Sequence, residues 1–169
     1  MLEASNLIHG GSYTTVVDES LPIDAVPRWF EGITINFAEN LLFSRGARDA
    51  KGHRATVGKE DGVVAVTEVR EGNTEVRHVT WGYIRTQAGR LASALQSQGV
   101  GRGDRVVFVG GNSIEGLLVY LATTWVGGIF SSSSTDMGSK GILQRTVQID
   151  PKVRGSVSSL ALFGRRRRC

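Results

Sequence analysis

"GVGRGDRVVFVGGNSIEGLLVYLATTWVGGIFSSSSTDMGSKGILQRTVQIDPKV", residues 99–153, decides the fold. Arg105–Val109 is short and nearly all apolar, the composition of a strand buried on both faces of a parallel sheet. Ser113 can cap the stretch that follows, "IEGLLVYLATTWVGG", a helix apolar over most of its surface. "IFSSS" reads as a second short strand. Thr135 or Asp136 can cap "MGSKGILQRTVQID", and Pro151 ends that helix before "KV" opens a further strand. Upstream, Thr80 stands at an N-cap position. In "WGYIRTQAGRLASALQSQG" the side chains of Ile84, Ala88, Leu91 and Leu95 share one face, until Gly99 stops the helix. From residue 80 the order is helix, strand, helix, strand, helix and an interrupted strand. Alternation with short loops predicts an α/β fold, part of a doubly wound parallel sheet.

Before that sheet, "VVAVTEVR" and "TEVRHVT" read as a hairpin turning at Gly72-Asn73. Residues 44–53, "SRGARDAKGH", form a polar loop. Residues 1–50 show little periodicity and predict an irregular extension laid over the body, with a short helix near Ala38–Phe43. Trp29 and Phe30 are expected to be buried there as ordinary packing anchors.

The 169 residues suffice for one domain with a sizeable core. The formal charge is +4, but Arg154 and Arg165 to Arg168 supply five of the twenty basic side chains. Before residue 154 there are fifteen basic against sixteen acidic residues, so the body offers no electrostatic case for nucleic acid. The run "RRRR" could bind acidic partners, and a solvated tail is the simpler reading. One cysteine, Cys169, excludes an internal disulfide and a cysteine-based zinc site. The amino terminus lacks the basic start and apolar run of a signal peptide, and the most apolar stretch is shorter than the roughly 20 residues that span a bilayer. These features predict a soluble, cytoplasmic protein.

Three stretches invite a site. "GVGRGD" follows a helix and leads into a strand, the reverse of a dinucleotide fingerprint, so it is a helix stop and a tight turn. "VGGNS" follows a strand and opens a helix, where a phosphate could approach. A glycine pair alone leaves a plain turn the better reading. "SSSSTD", Ser131–Asp136, lies just past the carboxyl end of a strand, where open α/β sheets place ligands, yet a polar helix-capping loop has the same composition. His9, His53 and His78 have no ligand spacing, and neither catalytic nor metal-binding residues are assigned.

"IHGGSYTTVVDESLPIDAVPRWFEGITINFAENLL", residues 8–42, resembles the amino-terminal extension of the acetyl- and acetoacetyl-CoA synthetases, where "WF-x-G-x-x-x-N-x-A-E-N" precedes the adenylating domain. Residues 99–153 resemble the first half of that domain, and "A-E-N-L-L" together with the serine-rich loop is closer to the acetoacetyl form. The resemblance implies an extension over 1–50, part of an AMP-dependent ligase domain over 51–153, and a tail outside the family, expected to be disordered, over 154–169. It implies that the full-length family joins a short acid to coenzyme A, using ATP and Mg²⁺, with small-molecule substrates and no membrane partner. It implies that the loop at Ser134, Thr135 and Asp136 borders the coenzyme A channel. The family's phosphate loop, metal-binding pair, ribose-binding aspartate and adenylation lysine have no counterpart in this sequence. The expectation is therefore a truncated ligase without activity or cofactor of its own. The alternatives are a small binding or regulatory module derived from the fold, or a nucleic-acid binder acting through the tail.

Overall fold

The computed structural model describes residues 4–156 and 159–164. Among these, three sheets form. The largest is built from β5 (Arg105–Val109), β6 (Ile129–Ser133), β7 (Val153–Ser156) and β8 (Ser159–Gly164), in the order β6-β5-β7-β8. Strand β5 runs parallel to both neighbours, with Val107 opposite Ser131 on one side and Arg154 on the other. Its Val106, Val107 and Phe108 are all buried, as a strand covered on both faces requires. The remaining strands pair in two antiparallel ribbons. These are β1 (His9–Gly10) with β2 (Thr34–Ile35), and β3 (Val64–Val69) with β4 (Val76–Thr80).

Helix α2 (Trp81–Ser97) buries the predicted face, Ile84, Ala88, Leu91 and Leu95, together with Ala92. The Thr80 hydroxyl accepts the Tyr83 amide at 3.3 Å and fixes the start. Helix α3 (Ile114–Trp125) starts the same way, with Ser113 Oγ accepting the Gly116 amide at 3.2 Å. Each such cap stabilises by about 1 kcal/mol. Helix α3 ends at Gly127, whose φ of 77° belongs to the left-handed region that glycine enters without strain. Helices α2 and α3 pack on each other, and α3 lies against β5 and β6.

Helix α4 (Gly138–Ile149) begins differently from the expectation. Thr135 and Asp136 do not cap it; they form a single 3₁₀ turn, Thr135–Met137, and no side chain caps α4. The residues nominated as caps are used up in the turn that redirects the chain out of β6. No residue of α4 is buried, and its carboxyl end is held instead by Arg105, which donates to the carbonyls of Ile149 at 3.1 Å and Asp150 at 2.9 Å.

The extension is anchored through α1 (Phe37–Leu42). Asn36 Oδ1 accepts the Glu39 amide at 3.0 Å, and its Nδ2 donates to the carbonyls of Thr124 and Trp125 at the end of α3, both at 3.0 Å. Asn40 behaves like a strand partner toward Ile8, accepting from its amide at 2.7 Å and donating to its carbonyl at 2.8 Å. Lys59 donates to the last carbonyls of α1 at Asn40 and Phe43, and partial burial, then the nearby Arg85 charge, lowers its pKa. Ala38 and Leu42 of α1 are fully buried in the core, whereas most of residues 10–35 are exposed. Trp29 is 63% exposed, with its ring 6.4 Å from that of Phe30, so the expectation that it is a buried anchor is corrected.

The tail also departs from the expectation. Disorder was expected over 154–169, whereas the described part is strand: β7 runs on through Ser156, and Ser159–Gly164 pairs antiparallel with it. The free edge of β5 gives the backbone of β7 its partners, and β7 in turn gives partners to Ser159–Gly164. Residues 157–158 and 165–169, including the four consecutive arginines and Cys169, lie outside the described residues.

Candidate functional site

Two crossovers leave adjacent strands in opposite directions. The chain goes from β5 through α3 to β6 on one side, then from β6 through α4 past β5 to β7 on the other. Right-handed crossovers put α3 and α4 on opposite faces of the sheet. The loops after β5 and β6 therefore diverge at the carboxyl ends of two neighbouring strands, the switch point where open α/β sheets bind ligands. A cleft of about 580 Å³ opens there.

Its wall is aromatic on one side. Phe108 at the end of β5, Tyr120 on α3 and Phe130 on β6 form it, with ring centroids 6.5 Å apart for Phe108–Phe130 and 5.2 Å for Tyr120–Phe130. The rim is polar and neutral: the Gly110–Gly111 backbone, Asn112, and Ser132 to Ser134. Gly116 leaves room for the wall, since a Cβ there would stand 3.0 Å from Phe108 Cε1. Ser133 is buried, and its carbonyl accepts the Gly110 amide at 3.0 Å, which ties the two diverging loops together.

The amino end of α3 is not available to a phosphate. Its Ile114 amide donates to Glu68 Oε1 of β3 at 3.1 Å, and the Gly116 amide is taken by Ser113. Glu115 occupies the same turn. Burial alone would raise its pKa, but its own backbone hydrogen bond, the Ser113 hydroxyl and Arg77 outweigh that and hold it lowered. Two carboxylates already use the positive end of this helix. "VGGNS" is a plain strand-to-helix turn.

Of the loop residues singled out in the sequence, Ser134 lines the cleft. Thr135 and Asp136 sit beyond it, exposed on the 3₁₀ turn. The histidines are dispersed. His53 Nδ1 lies 2.9 Å from Asp49 Oδ2, His78 Nδ1 lies 2.9 Å from Thr67 Oγ1, and His9 Nδ1 is buried without a hydrogen-bond partner. Among the described residues no group of three or more His, Cys, Asp or Glu is placed to hold a metal. No helix among them is long and apolar enough to cross a membrane. The aromatic wall was not foreseen. Phe108, Tyr120 and Phe130 each read as core in isolation, and only the strand register brings them to one opening.

Residues 47–154 match the AMP-binding enzyme family, well over half of the chain. The chain belongs to that family. Across 161 residues it is 37% identical to acetoacetyl-CoA synthetase of Mus musculus, covering 95% of this chain and 22% of that protein. It is 38% identical over 139 residues to acetoacetyl-coenzyme A synthetase of Rhizobium meliloti, covering 82% of this chain and 18% of that one. The solved structure of acetoacetyl-CoA synthetase from Streptomyces lividans superimposes with a TM-score of 0.77 at 29% identity, over 97% of this chain and 24% of the other. The chain thus spans about a fifth of the length of the curated relatives it matches. Its fold corresponds to the amino-terminal portion of the AMP-binding enzyme that superimposes on it.

Proposed function

We propose that these residues are the amino-terminal part of an acid–thiol ligase, which activates a short acid such as acetoacetate with ATP and passes the acyl group to coenzyme A. In this reading the chain supplies one wall of the coenzyme channel and does not carry out the adenylation alone. The observation that supports it is the cleft at the β5–β6 switch point with Ser134 on its rim. Thr135 and Asp136, exposed on the turn beyond that lining, would meet a ligand only at the mouth of the channel.

The chemistry of the lining separates the possible ligands. A pantetheine arm is neutral, with two amides, a hydroxyl and an apolar dimethyl group. A rim of serine hydroxyls and backbone amides over an aromatic wall can meet each of these. A triphosphate with Mg²⁺ needs cationic groups and carboxylates. The cleft lining carries neither a lysine or arginine nor an aspartate or glutamate. ATP and Mg²⁺ therefore belong, in the full ligase, to surfaces these residues do not provide. The reading also makes small molecules the partners, rather than a membrane or a specific nucleic acid, and the cytoplasm the setting.

Titration of the full chain with pantetheine, followed by amide chemical shifts, tests the reading. Shifts centred on residues 110–113 and 132–136 are expected, together with no acid-dependent exchange of pyrophosphate into ATP. Shifts absent from both loops, or exchange above background with acetoacetate, would overturn it.

A further inference from the structure

The cleft wall does not end at the cleft. Tyr120, whose ring faces Phe130 at 5.2 Å, also meets Phe37 of α1, with centroids 5.3 Å apart and planes at 53°. Phe37, Tyr120, Phe130 and Phe108 therefore form one continuous line of rings, from the amino-terminal extension to the end of β5. Phe37 is half exposed, and it sits on a helix of only six residues. Such a side chain adds little to the core. Its position, however, is fixed from outside α1. The residue before it, Asn36, is hydrogen-bonded to the carbonyls of Thr124 and Trp125, one turn past Tyr120 on α3. Those bonds fix the start of α1, and with it the backbone that carries Phe37, against the end of α3.

From this we infer that Phe37 is a positioning residue for the cleft: it closes the outer side of the Tyr120 ring and thereby holds that ring against Phe130 in the cleft wall. Tyr120 has its rotamers limited on the inner side by Phe130 and on the outer side by Phe37. Without Phe37 the outer side faces solvent, and further staggered wells of χ1 become accessible. The extension would then shape a ligand surface to which it contributes no lining residue. The ligand half of this inference rests on the pantetheine reading above; the ring half does not.

The full chain with labelled aromatic residues separates the two. In the parent protein, nuclear Overhauser contacts are expected between the Phe37 and Tyr120 rings and between the Tyr120 and Phe130 rings. Phe37→Ala should abolish or strongly reduce the Tyr120–Phe130 contact and weaken pantetheine binding about three- to tenfold, the scale of one aromatic pair. Phe37→Tyr should restore both. Adding Phe37→Ala to Tyr120→Ala should weaken binding no further, because Phe37 acts only through Tyr120. Should Phe37→Ala fail to fold, Phe37→Leu, which keeps most of the apolar volume without the ring, is read in its place. A Tyr120–Phe130 contact unchanged in the folded variant overturns the inference. So does a binding loss that tracks only a fall in melting temperature, or one that persists on the Tyr120→Ala background. If the parent chain binds no pantetheine but Phe37→Ala still releases Tyr120, the positioning stands and the pantetheine reading falls.

Discussion

Replacing Asn36 by alanine removes three hydrogen bonds made by one side chain. One is the cap on α1, which on its own contributes about 1 kcal/mol. The other two go to the final carbonyls of α3, and each contributes about 0.5–1.5 kcal/mol, with a further penalty where the carbonyl stays partly buried. The expected loss is therefore about 2–4 kcal/mol, a large share of the stability of a small domain. Two further variants divide it. Asn36→Ser keeps a hydroxyl for the cap but cannot reach both carbonyls, so about 1 kcal/mol less should be lost than with alanine. Asn36→Asp keeps the cap acceptor but sets a carboxylate against two carbonyls at the negative end of α3, an unfavourable placement. It should be at least as damaging as serine at neutral pH, and part of the loss should return as pH falls and the carboxyl becomes a donor. Urea unfolding of the full chain followed by circular dichroism gives these values, provided the slope with denaturant is constant across the series. Asn36→Ser within about 0.5 kcal/mol of the parent would show that the clamp on α3 contributes nothing, because that is the size of an ordinary surface substitution.

Leu95 is fully buried on the inner face of α2, and Leu95→Ala should cost about 2–5 kcal/mol in the same assay. Asp104 accepts from Lys152 Nζ at 2.9 Å and from the Gly101 amide at 2.8 Å, and these bonds lower its pKa from 3.8, the Lys152 bond most. A lowered carboxyl contributes stability that is present above its unfolded pKa and is lost as pH falls through the folded one. An acid titration of unfolding should therefore be shallower below pH 3.8 for Asp104→Asn than for the parent, and an identical slope would contradict this. Ser134→Trp should fill the cleft rim and abolish the pantetheine-induced shifts while leaving the melting temperature nearly unchanged, because residue 134 is exposed.

The central architecture was legible because its information is local. Thr80 and Ser113 sit at the caps they appear to offer, and the spacing of Ile84, Ala88, Leu91 and Leu95 states which face of α2 turns inward. The apolar run at Arg105–Val109 reads as a doubly covered strand, and Val106, Val107 and Phe108 are buried in it. Where the outcome depends on a distant segment, the sequence said less. Trp29 looked like an anchor by composition, but burial needs a surface to meet it, and nothing in residues 13–33 indicates where that segment lies. Asn36 passes for a loop residue until the end of α3, some 88 positions later, comes within reach of its amide. Asp136 had the chemistry of a cap, and the backbone took it into a 3₁₀ turn instead. The cleft was half legible. The serines past β6 marked its rim, whereas its aromatic wall is gathered from three elements and has no linear pattern.

The cap that Glu68 places on Ile114 joins residues 46 positions apart, and that separation bears on how the chain folds. A helix whose cap lies within its own first turn can start as soon as that turn forms. Helix α3 has such a cap in Ser113, but it also draws on a carboxylate held by the β3–β4 hairpin. Closing a loop of that length carries an entropic cost before the contact repays it. The Ile114 amide should therefore gain protection from hydrogen exchange only when the hairpin has docked, later than the amides in the middle of α3. A single backbone proton would then time the meeting of the hairpin with the parallel sheet.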